Sequence, residues 1–133
     1  MQGGGQEFES LTLHQNRIMD FNEYQKRALA TDLEGKKEGN NIFYLGFMTK
    51  ALGLAGEAGE VTEDIKKILR DRNGEVTEED RELLTLELGD VMWYVAVVAH
   101  YLGISMEEVV EKNLEKLQSR KSRGKITGSG DKR

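Results

Sequence analysis

The sequence predicts an all-α fold, an antiparallel helix bundle of about four helices. Three observations support this: the chain has no proline, its glycines fall mainly at ends and junctions, and its apolar residues recur at three- and four-residue spacing instead of alternating. Residues 1–18 open with a glycine run and show little periodicity, which reads as a flexible leader. A first helix is expected to start near Asp20 or Asn22, either of which can accept the free N–H groups of a first turn, and to run through Tyr24, Ala28 and Leu29. Gly35 to Asn41 is the expected loop after it. The second helix is expected from about Ile42 to Arg72, with Phe43, Phe47, Leu54, Val61, Ile65, Ile68 and Leu69 among its apolar positions. Asn73-Gly74 ends it, because both residues tolerate left-handed backbone. Thr77 caps a third helix, Glu78 to about Leu102, which Gly103 closes. Ser105-Met106-Glu107-Glu108 has the Ser-x-x-Glu form of a capping box and opens a fourth, to about Arg120. Short connections make consecutive helices antiparallel neighbours.

A chain of 133 residues is one domain's worth, long enough for a single core and short enough to gain from self-association. With no cysteine there is neither a disulfide framework nor a thiolate metal site. Nothing at the N-terminus has the charged, then apolar, then small-residue layout of a secretory signal, so a cytoplasmic location is expected. The longest nearly uncharged apolar stretch, Val91 to Ile104, is too short to span a bilayer and reads as a buried helix, with no membrane partner. That helix is apolar on nearly every side from Val91 to Ala99, more than a four-helix chain of this size can cover. A homo-oligomer, dimer or tetramer, is therefore expected.

Charge is uneven. Residues 116–133 hold seven Lys or Arg against one acid, a net of +6, which leaves −11 on the rest of a chain whose total is −5. An acidic body with a basic, glycine-bearing tail (122–133) offers no broad basic face to track a phosphate backbone, which argues against nucleic-acid binding. It leaves open a small polyanion held between a metal and the tail, or simply a solvated tail.

Two carboxylate pairs stand out: Glu57 and Glu60 in Gly56-Glu57-Ala58-Gly59-Glu60, and Glu87 and Asp90 in Glu87-Leu88-Gly89-Asp90. Acids three apart on a helix share a face. On adjacent antiparallel helices the four would meet, and such a cluster repels itself unless protons or hard cations occupy it; Mg2+ is the abundant cation that prefers oxygen ligands. One such pair alone is a common feature of solvent-facing helices; two on neighbouring helices, with apolar Leu86, Leu88 and Val91 around the second, suggest burial at the helix interface. Gly53, Gly56 and Gly59 lie along the same helix at three-residue spacing. Each costs roughly 1 kcal/mol relative to alanine, so they imply either a close helix approach or room for a ligand. His14 and His100 have no partner pattern and receive no role.

The run Gly53-Leu54-Ala55-Gly56-Glu57-Ala58-Gly59-Glu60-Val61, then Glu87-Leu88-Gly89-Asp90-Val91-Met92-Trp93-Tyr94, then Asn113-Leu114-Glu115-Lys116-Leu117, resembles the MazG-like nucleotide pyrophosphohydrolases of the all-α NTP pyrophosphatase superfamily. The similarity starts with Met19-Asp20-Phe21-Asn22-Glu23-Tyr24-Gln25, so residues 19–121 read as a MazG-like helical catalytic domain. The resemblance implies an enzyme that hydrolyses a nucleoside triphosphate to the monophosphate and pyrophosphate. Glu57, Glu60, Glu87 and Asp90 would ligate Mg2+, with Mn2+ as a substitute, and Asn113 and Lys116 would contact the substrate. Arg120 continues the Asn113–Lys116 stripe one turn on, Arg123 and Lys125 could close over the phosphates, and Tyr94, one turn after Asp90, could lie beside the base. Ordinary surface pairing with Glu115 or Glu111 is the alternative for Lys116 and Arg120, and the plainer account of Arg120. Trp93, Phe43 and Phe47 read as core or interface.

Two rivals remain. A di-iron carboxylate protein would use Glu-x-x-His pairs, and none exists here. A non-catalytic helical oligomer acting as an interaction or regulatory module would use the acids for solubility only.

Overall fold

The computed structural model describes residues 19–129; the expected leader, residues 1–18, and the last four residues of the basic tail lie outside the described residues. Four helices form there, α1 (Phe21–Leu29), α2 (Leu45–Arg72), α3 (Glu78–Tyr101) and α4 (Met106–Ser122), and no strand. Asp20 caps α1, its carboxylate accepting the Glu23 N–H at 2.7 Å. The second helix starts three residues later than the sequence suggests. Asn41 Oδ1 accepts the Phe43 N–H at 2.8 Å, a local turn that competes with the helix, and Tyr44 stays extended with no side-chain cap bond. Asn73 (φ 53°) and Gly74 (φ 86°) end α2 in the left-handed conformation that suits them. Thr77 and Asp80 close a reciprocal capping box on α3. Ser105 accepts the Glu108 N–H at 3.1 Å, and α4 runs on to Ser122.

The central element is α3. It packs most closely along α2 and also meets α1 and α4, while the backbone of α2 approaches neither α1 nor α4 closely. The core lies around its C-terminal half. Ala28, Ala96, Ala99 and Met106 form one buried cluster, Phe47, Val97 and Tyr101 a second, and Trp93 packs against both. Gln25 fastens three segments at once: its Nε2 donates to the carbonyls of Ala96 (3.0 Å) and Ile104 (3.1 Å), and its Oε1 accepts the Met106 N–H (3.2 Å). Trp93 Nε1 donates to Thr31 Oγ1 at 2.7 Å, tying α3 to the end of α1. Asp32, with its side chain 2% exposed, accepts the Tyr101 hydroxyl at 2.5 Å and pairs with Lys50 Nζ at 3.1 Å. Lys50 also lies over the Trp93 ring, 5.3 Å from its centroid.

The expected burial of α3 holds only over that half. Leu86 and Leu88, expected near the helix interface, are 68% and 53% exposed, because α1 and α4 pack farther along. By length and composition alone α3 is apolar enough to cross a membrane; its N-terminal half, however, carries Glu78, Glu79, Asp80, Arg81, Glu82, Glu87 and Asp90. Phe47 joins the core as expected, whereas Phe43 is exposed.

Candidate metal centre

The antiparallel α2–α3 pair brings acids from both helices together. Glu57, Glu87 and Asp90 each offer a carboxylate oxygen, and the three oxygens lie within 4.8 Å of one another. Glu57 and Glu87 are half-buried and Asp90 is exposed, so the cluster faces solvent on one side. The Glu87 carboxyl is held above the usual carboxylate range, first by burial and then by the negative charge of Glu60, Asp64, Asp90 and Glu57. Glu60 is exposed and lies outside the three-oxygen group, yet its charge is felt at Glu87. Asp64, one turn past Glu60, also contributes and is paired with Lys67 at 2.7 Å.

Glu57, Glu87 and Asp90 come together because of the helix pairing. Residues 57, 60 and 64 succeed each other at three- and four-residue spacing on α2, and 87 and 90 do so on α3. The donor set suits a hard divalent cation: it consists of oxygens only, carries like charges close together, and raises the pKa of one carboxyl through those neighbouring charges and burial.

Tyr94 is half-buried one turn along α3, its ring edge-on to Trp93 with centroids 4.9 Å apart. A Cβ at Gly53 would overlap the Tyr94 ring, so one of the three α2 glycines is explained by close approach. At Gly56 and Gly59 an added Cβ would meet nothing within 4 Å.

The cations are placed differently from the acids. Asn113 and Lys116 are exposed on α4, a helix that touches α1 and α3 and does not reach α2. Arg120, one turn past Lys116, is by contrast buried, 6% exposed. Arg123 and Lys125 lie past the helix and are exposed; Arg123 Nε donates to the Ser119 carbonyl at 3.3 Å.

Sequence reasoning missed Tyr24. Its hydroxyl is held above the usual phenol range by burial and by the charge of Asp90. With Met19, Asp20, Phe21 and Met92 it lines an open, largely apolar cavity of about 200 Å³. A tyrosine facing the third helix from the first carries no spacing signal in the sequence, since the two are joined only by packing.

The family model of the MazG nucleotide pyrophosphohydrolase domain matches residues 46–124, which hold all four expected acids. The Gene 37 protein of Mycobacterium phage L5 is 50% identical over 111 residues, covering 83% of this chain and 96% of that protein. The uncharacterized protein YvdC of Bacillus subtilis (strain 168) is 36% identical over 72 residues, 50% of this chain and 68% of that protein. No solved structure matches the chain significantly.

Proposed function

The chain belongs to the MazG nucleotide pyrophosphohydrolase family, and on that premise we propose that it hydrolyses a nucleoside triphosphate, (d)NTP, to (d)NMP and pyrophosphate with Mg2+ held by its acidic cluster. The observation that carries this is the meeting of Glu57, Glu87 and Asp90 oxygens from two helices, with Glu87 resisting ionisation. Glu57, Glu87 and Asp90 would hold the ion, and Glu60 would complete the set from its position beside Glu87. When bound, Mg2+ supplies charge neutralisation on the phosphate oxygens and makes hydroxide available near neutral pH; Mn2+ can replace it.

The chain's own residues do the rest. Asp64, adjacent to the cluster and anchored by Lys67, is suited to orient the attacking water or accept its proton. Tyr94, one turn past Asp90 on α3, and Tyr24, whose hydroxyl feels the Asp90 charge, suit contact with the base or sugar. Asn113 and Lys116, and after them Arg120, Arg123 and Lys125, supply the counter-charge, with the ligand bridging from α3 to α4. The reaction fits nucleotide-pool house-cleaning in the cytoplasm by a homo-oligomer, without nucleic-acid or membrane partners. Pyrophosphate release measured across the common dNTPs and NTPs, with Mg2+ and with chelator, tests the reading. Metal-dependent release is expected; metal-independent release, or none from any nucleotide, overturns it.

A further inference from the structure

The acid stripe of α2 ends on a cation. Glu57, Glu60, Asp64 and Lys67 follow one another at three- and four-residue spacing, so Lys67 stands on the face of Glu60 two turns farther along. Its stem leans back toward the start of the helix, as helical side chains do, and Nζ donates to Asp64 Oδ1 at 2.7 Å. Asp64 and Lys67 line a cavity of about 230 Å³ between α2 and α3, whose apolar wall is Ile68, Leu83 and Leu84. The cavity adjoins the acids, since the charge of Asp64 is felt at Glu87. The other charges that line it are engaged where they stand. Asp80 closes the α3 capping box and pairs with Arg72, whose Nε also donates to the Glu75 carbonyl at 3.3 Å; Asp71 pairs with Arg70 at 2.6 Å. Lys67 is held only along its own helix by Asp64, an i,i+3 pair of the kind that contributes little to stability in water. The adjoining pair, Glu63 with Lys66, has side chains 48% and 60% exposed and does not line the cavity, whereas Asp64 is 16% exposed.

We propose that the cavity beyond Asp64 receives the pyrophosphate end of the substrate, and that Lys67 passes from Asp64 to those phosphate oxygens as they arrive, leaving Asp64 to act on the attacking water. The identity of the substrate rests on the pyrophosphohydrolase reading; the subsite and the exchange go beyond it. A terminal phosphate carries more negative charge than a carboxylate and offers an ammonium several oxygens, so the exchange favours the phosphates. A carboxylate tied to an ammonium is a weak base, and one released from it regains basicity beside the other acids. In the reaction the water oxygen bonds to phosphorus, the P–O bond bridging the α and β phosphates breaks with its electron pair staying on the bridging oxygen, and the Asp64 carboxylate takes the water proton. Lys67 stays with the pyrophosphate until it departs and then returns to Asp64. The nucleoside is thereby directed the other way along the groove, toward Tyr94 where it packs over Gly53.

Calorimetry of pyrophosphate with Mg2+ on the full chain reads the subsite without turnover. Lys67→Met, which keeps the stem and removes the charge, should weaken pyrophosphate binding at least about 10-fold. Asp64→Asn should tighten it, because Lys67 is no longer held. Lys66→Met, at a pair off the cavity, should leave it unchanged. During turnover, Lys67→Met should raise the inhibition constant of product pyrophosphate by the same factor and leave that of the nucleoside monophosphate as it was. Helical circular dichroism should be the same for all, since the Lys67 side chain is 51% exposed. Pyrophosphate that does not bind, that binds Lys67→Met as well as the parent, or that is weakened equally by Asp64→Asn overturns the inference, whether or not nucleotides are hydrolysed. A chain that binds pyrophosphate through Lys67 yet releases none from any nucleotide upholds the subsite and overturns the pyrophosphohydrolase reading instead.

Discussion

The two ends of α3 live in different surroundings. Its C-terminal half, with α1, Phe47 and the start of α4, holds seven of the eight buried apolar side chains among the described residues. Its N-terminal half forms, with the second half of α2, an arm in which Ile68 is the only such residue. The arm carries the acids, and the packed end carries the polar fasteners of Gln25, Trp93 and Asp32. The contrast teaches that stability and chemistry are housed apart: a cluster that repels itself sits where little else depends on it, and a well-packed end holds the helix pair in register.

Substitutions should sort by region. The largest effect is expected at the arm and on activity alone: Glu87→Gln should lower Mg2+-dependent pyrophosphate release at least about 100-fold while leaving the melting temperature the same or higher, because one repelling charge is gone. Activity that survived would remove the arm's half of the contrast. At the packed end, Gln25→Ala leaves two carbonyls and an N–H without their partner and should cost about 3 kcal/mol in chemical denaturation, without touching the acids.

Asp32→Asn should cost about 2 kcal/mol at neutral pH, by loss of the charge-assisted bonds to Tyr101 and Lys50. Burial pushes the Asp32 carboxyl up, but the Tyr101 hydroxyl, Lys50 and the Glu34 N–H together hold it below the usual range. Its contribution is therefore present above the unfolded carboxylate pKa and lost as pH falls through the lower folded one, so the two proteins should converge in stability in strong acid. Urea melts across pH would show a constant gap if the pair were inert. The glycines give the smallest contrast: Gly53→Ala should destabilise by about 1–3 kcal/mol by displacing Tyr94, whereas Gly56→Ala should stabilise by up to about 1 kcal/mol. Equal effects at the two would mean that Tyr94 does not need the gap.

Much of this was legible in the residues. Helix ends follow from short-range signals, so Asp20, Thr77, Asn73-Gly74 and Ser105 marked them well; Ile42 failed because Asn41 makes a competing turn. Helical spacing and an antiparallel partner made the meeting of Glu57 with Glu87 and Asp90 legible, whereas Glu60, expected as the fourth, lies outside that group. Burial was not: Leu86 and Leu88 look like core residues in the sequence, and Arg120 looks like a surface cation, yet each is found in the opposite setting.

The sequence by itself determined the all-α class, the helix boundaries to within a few residues, and the family, because these depend on local backbone preferences and on motifs that can be read in order. Only the tertiary structure decided which three acids bring their oxygens together, that Tyr24 feels the charge of Asp90, and that α1 and α4 leave half of α3 uncovered. Those are relations between segments distant in the chain. They are set by which faces pack, and no spacing along one helix encodes where another helix stops covering it.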